Sequence, residues 1–78
     1  MPEERSTDNR FIPLESEMLV AVRYNEDAQV LDVIFRTGEK YRYKGVPPIE
    51  FDGLMSANSH GQYMHKNILG FYEYERLD

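Results

Sequence analysis

The stretch Lys40-Tyr41-Arg42-Tyr43-Lys44-Gly45-Val46-Pro47-Pro48 alternates cations with tyrosines and then stops at two prolines. Successive side chains of a strand point to opposite faces, so Tyr41 and Tyr43 share one face and Lys40, Arg42 and Lys44 the other. One of those faces must be buried. Burying three unpaired cations would cost several kcal/mol each, more than about 1–3 kcal/mol per base that exposed tyrosines gain by stacking. The tyrosines are therefore predicted to face the core, with their hydroxyls at its rim. The cations then lie outward, and the prolines turn the chain from sheet to helix.

Working outward, the residues before this strand repeat the pattern. Met18 to Tyr24, "MLVAVRY", is apolar and β-branched and predicts a first strand; Asn25-Glu26-Asp27 is turn chemistry. Gln29 to Phe35, "QVLDVIF", predicts a second strand with Leu31, Val33 and Phe35 on one face. Arg36-Thr37-Gly38-Glu39-Lys40 supplies a hairpin turn into "KYRYK". Upstream, Phe11 to Leu14 is expected to dock as an extended segment, since Pro13 opposes a helix there.

Downstream, a helix from about Pro48 to Ala57 would bury Phe51, Leu54 and Met55, at a cost of about 1 kcal/mol for Gly53. Ser59-His60-Gly61-Gln62 fits a capping box that opens a second helix running to Leu69, with Met64 and Ile68 one turn apart. Gly70 suits the left-handed position beyond it. Phe71 to Leu77, "FYEYERL", reads as a closing strand. The order β-β-β-α-α-β predicts an α+β fold, a small twisted antiparallel sheet with its helices on one face.

The chain has 78 residues, no cysteine and a formal net charge of −5. That length predicts one small domain over residues 11–78, preceded by a polar, disordered acidic arm over residues 1–10. Residues 1–17 carry Glu3, Glu4, Asp8, Glu15 and Glu17 against Arg5 and Arg10. No apolar run reaches the ~20 residues of a membrane span, and the charged start does not read as a secretory leader. With no thiol for a disulfide, a cytoplasmic protein is expected.

Several short pieces together resemble the KTSC domain family, over roughly Phe11 to Leu77. They are Tyr24, Leu31-Asp32-Val33-Ile34-Phe35, Gly38, Tyr41-Arg42-Tyr43 and Val46-Pro47. Ala57-x-Ser59-x-Gly61-x-Tyr63 and Ile68 before the tyrosine-rich end complete the set. The acidic arm and Met64-His65-Lys66 depart from that family's pattern. The family takes its name from the C-terminus of some lysyl-tRNA synthetases and also occurs free-standing in bacteria. The resemblance implies no catalytic residues, and its company with a tRNA ligase hints at RNA.

The residues point to a non-catalytic binding module. Arg23, Arg36, Lys40, Arg42 and Lys44 are the candidate nucleic-acid contacts, a cationic sheet face on which Asp32 also sits. Ser59, Gly61, Lys66 and Asn67 are the candidate anion or partner contacts, at the start of the second helix. The alternative is a protein-interaction module or homo-oligomer using Phe11, Ile12, Ile34 and the Met-bearing helix edge. RNA and a protein thus both remain as partners. No enzyme, cofactor or metal is expected. His60 and His65 fall about 140° apart on a helix. Ser59 is committed to capping, Glu50 and Asp52 face different sides of their helix, and Glu73 and Glu75 lack the burial that tunes an acid or base.

Overall fold

A computed structural model describes residues 10–78. The expected arm therefore lies outside the described residues, apart from Arg10. Five strands, β1 (Ile12–Pro13), β2 (Leu19–Asn25), β3 (Val30–Phe35), β4 (Lys40–Lys44) and β5 (Glu73–Arg76), form one sheet. Their order is β1-β2-β3-β4-β5, and every neighbouring pair is antiparallel. Between β4 and β5 the chain forms α1 (Pro48–Ser56) and α2 (His60–Tyr63), the latter continuing as a π-helical segment, Met64–Ile68. This is the expected α+β order with one short strand added. Phe11 to Leu14 does dock in extended form, and its middle pairs with β2 as Ile12 opposite Val22 and Pro13 opposite Ala21.

The core lies between the helices and one sheet face. Leu19, Val22, Leu31, Val33 and Tyr43 from the sheet meet Val46, Leu54, Met64 and Ile68, all buried. Leu19 and Val22 both point inward although three residues apart. The register shift between Leu19 and Ala21 supplies the extra residue, a bulge that strict alternation does not anticipate. Tyr43 is buried and Tyr41 half-buried on this face, so the inward placement of the tyrosines holds.

The turns follow from local chemistry. The Asn25 Oδ1 accepts a hydrogen bond from the Ala28 amide (3.1 Å). Gln29 has φ 57°, so it belongs to this turn rather than to β3, where the sequence pattern put it. Its carbonyl accepts from the Val46 amide at 2.9 Å, tying the turn to the chain beyond β4. Gly38 (φ 99°) closes the β3–β4 hairpin in open space, so backbone conformation alone requires glycine there.

At the sheet-to-helix break, Pro47 is the N-cap residue of α1 and Pro48 its first helical residue. Tyr24 clamps this junction. Its hydroxyl donates to the Val46 carbonyl (2.6 Å), and its ring stacks on Phe51 with centroids 4.6 Å apart. The second helix differs from the regular one expected: the Leu69 amide reaches the Met64 carbonyl at 2.8 Å, a five-residue hydrogen bond. No helix among the described residues is long and apolar enough to cross a membrane.

Candidate functional site

On the face away from the helices, the strand register lines up four charged residues. Arg23 of β2 stands opposite Asp32 of β3, Asp32 opposite Arg42 of β4, and Arg42 opposite Glu75 of β5. Asp32 is only 3% exposed, so its carboxylate needs partners. It has two. Arg23 donates from Nη2 (2.8 Å) and Nε (3.2 Å) to Oδ2, while Arg42 donates from Nε to Oδ1 (2.8 Å) and from Nη2 to Oδ2 (3.1 Å).

Burial by itself pushes the Asp32 carboxyl up. The hydrogen bonds from Arg42 and Arg23 outweigh that, and its pKa lies below the ordinary aspartate value. The same bond raises the Arg42 pKa. Both guanidiniums are consequently held in one orientation, with their edges on the carboxylate. Arg23 is held further by the Phe11 ring, 4.2 Å below its guanidinium carbon. A shallow cavity of about 290 Å³ runs beside the triad, bounded by Tyr24, Asn25 and Val30.

Lys40 and Lys44 flank Arg42 on the same face, both exposed. Lys44 pairs with Glu75 at 3.3 Å and stands opposite Glu73 in register. Four cations thus face three acids on these strands, leaving a slight positive excess in a chain whose net charge is −5. The face is a charge ladder rather than a bare basic patch. Arg36 is not part of it. Lying just beyond β3, it donates from Nε to the Ser16 carbonyl (2.9 Å) and borders a different cavity.

The second group of candidates is mostly occupied with structure. The Ser59 Oγ accepts from the Gln62 amide (3.2 Å), the capping bond expected of it. A β-carbon on Gly61 would sit 3.2 Å from the Met18 Cβ, so that glycine permits the close approach of the β1–β2 connection. Asn67 donates to the Tyr63 carbonyl at 3.5 Å, and Lys66 is exposed on the π-helical segment. The His60 Nδ1 lies 2.9 Å from the Leu54 carbonyl, at the end of α1.

Of the apolar surface expected to serve a partner, Ile12 is exposed, Phe11 supports Arg23, and Ile34 is half-buried. The larger exposed apolar groups are Ile49 on α1 and Phe71 and Tyr74 near the C-terminus.

A polar cluster that the sequence pattern did not reveal joins the two helices. Glu50 accepts hydrogen bonds from the Tyr63 hydroxyl and, at 3.0 Å, from the Tyr72 hydroxyl. The bond to Glu50, with some burial, pushes the Tyr63 phenol up to about 12. Burial and then the Glu50 bond raise Tyr72. Tyr63 reaches Glu50 by crossing α1 at Gly53, where a β-carbon would lie 2.2 Å from its hydroxyl oxygen. The signal was Gly53 itself, a costly mid-helix residue three positions from Glu50 and so on the same helix face.

The family model of the KTSC domain matches residues 15–74. The chain belongs to the KTSC domain family. A lysine–tRNA ligase of Nostoc sp. is 40% identical over 63 residues, covering 81% of this chain and 11% of the ligase. A protein of Stutzerimonas stutzeri is 34% identical over 68 residues, covering 86% of this chain and 96% of that protein. The crystal structure of a KTSC domain protein from Yersinia pestis superposes with a TM-score of 0.86 at 28% identity, covering 88% of this chain and 97% of that one. The KTSC chain therefore spans about a tenth of the ligases it matches and nearly all of the Stutzerimonas stutzeri protein.

Proposed function

We propose that this KTSC domain is a non-catalytic recognition module that contacts RNA weakly through the outer face of its sheet. The observation that carries the reading is the Arg23–Asp32–Arg42 triad. A buried carboxylate fixes two guanidiniums in place, with Lys40 and Lys44 alongside. Guanidiniums held this way lose little entropy on meeting a phosphate. The relatives named as lysine–tRNA ligases act on a tRNA, which supports the choice of RNA; their ligase activity is not carried over to this domain. Weak binding follows from the ladder. Asp32, Glu73 and Glu75 offset most of the positive charge, so few phosphates gain a full contact.

The test uses fluorescence anisotropy with a labelled tRNA at low salt. Lys40→Gln combined with Lys44→Gln touches neither the core nor the Asp32 triad and sets no new acid opposite Glu73 or Glu75. It is expected to weaken binding about tenfold while leaving the unfolding transition near that of the parent. A parent protein that does not bind, or a variant that binds equally well, would overturn the proposal.

A further inference from the structure

The helices leave one end of the inner sheet face uncovered. An open cavity of about 490 Å³ lies there, between Leu69 and the β3–β4 hairpin. Its walls are Met18, Phe35, Tyr41 and Leu69, and its rim carries Glu17 and Glu39. The Phe35 and Tyr41 rings meet at 89° with centroids 5.7 Å apart, forming a right-angled aromatic corner. Tyr74 stacks on Tyr41 at 5.5 Å, which fixes that ring from the β5 side. The corner is built before any ligand arrives.

We propose that this cavity takes a lysine or arginine side chain presented by a partner polypeptide. The chemistry matches along the length of such a side chain. An aliphatic stem lies on Met18 and Leu69, as basic side chains do when they cover apolar surface and keep the head at a polar rim. The cationic head then reaches the aromatic corner and the two carboxylates, and a cation over an aromatic ring is stabilised electrostatically. The fold already uses that contact once, between Arg23 and Phe11.

Arg36 also borders the cavity and keeps its charge; its Nε is held by the Ser16 carbonyl, and the two rim carboxylates exceed it by one charge. Glu39 meets Arg76 at 3.9 Å in an exposed pair, which a basic side chain on the cavity side displaces at little cost. This site is on the opposite face from the RNA contact proposed above and does not depend on it.

The experiment is a titration of the ¹⁵N-labelled protein, followed by amide chemical shifts. The probe is N-acetyl-lysine methylamide, and the control is the norleucine analogue, which has a similar stem and no ammonium. The lysine probe is expected to shift Phe35, Thr37, Tyr41 and Leu69 saturably, with the norleucine analogue about fivefold weaker. Glu17→Gln with Glu39→Gln, both at the exposed rim, should erase the difference between the two. Equal binding of the analogue would reduce the cavity to an apolar hollow, and no saturable shift from the lysine probe would remove it as a site. Tighter binding of free zwitterionic lysine than of the methylamide would assign it to a metabolite. Each of these results overturns the proposal.

Discussion

Replacing Asp32 with asparagine or alanine is expected to cost roughly 3 kcal/mol of unfolding free energy at neutral pH. The carboxylate is 3% exposed and accepts four hydrogen bonds from two arginines. Losing its charge leaves the guanidiniums of β2 and β4 facing each other across β3, with no carboxylate between them to offset repulsion. The expected loss lies at the lower end for broken buried pairs because the arginine side chains are 30% and 36% exposed and regain water. Urea unfolding of Asp32→Asn measures it, and a change under about 0.5 kcal/mol would show that the triad contributes little.

The pH dependence has a definite sign. The folded-state pKa of Asp32 lies below its ordinary value of 3.8. Its contribution is therefore fully present above that value and fades as pH falls through the lower folded-state value. The stability gap between parent and Asp32→Asn should be constant from pH 7 to about 5 and narrow only in strong acid.

Gly53→Ala is the second large effect, and its direction opposes helix propensity. Alanine favours a helix interior by about 1 kcal/mol over glycine. Here, however, the new methyl would lie 2.2 Å from the Tyr63 hydroxyl oxygen and 2.7 Å from its Cζ, so the ring must leave. With it goes the hydrogen bond to Glu50, a charged acceptor, which is worth about 1.5–3 kcal/mol. A net loss of about 1–2 kcal/mol is expected. The decisive control is the same change in a Tyr63→Ala background, where the obstruction is gone and Gly53→Ala should become stabilising. If Gly53→Ala stabilises the parent as well, Tyr63 does not depend on the glycine.

These two residues also show what a single sequence reveals. Alternation in Lys40 to Lys44 was enough to place the tyrosines inward and the cations outward, because burying three cations is prohibitive. The same alternation put Asp32 on the cationic face. It could not show that one carboxylate would bridge two arginines, since that depends on the register of β2 and β4 against β3. Arg36 looked like a member of the face by spacing alone. It lies just past the strand end, where alternation no longer governs direction, and turns to the Ser16 carbonyl.

The bulge at Leu19–Ala21, the left-handed Gln29 and the π-helical turn are likewise tertiary outcomes. Each departs from a regular local pattern, and for Gln29 a contact distant in sequence is on hand, the hydrogen bond from the Val46 amide to its carbonyl. Gly53 was legible as an anomaly but not as a solution. Its explanation is a tyrosine ten residues away on the next helix.

The outer face as an RNA contact is tested most directly by mapping amide chemical shifts of the ¹⁵N-labelled protein as a short RNA hairpin is added at low salt. Shifts are expected to concentrate on Arg23, Asp32, Lys40, Arg42 and Lys44, and to weaken as salt rises with a shallow dependence, because few phosphates are engaged. Shifts confined to the helices, or none at all at millimolar RNA, would contradict it.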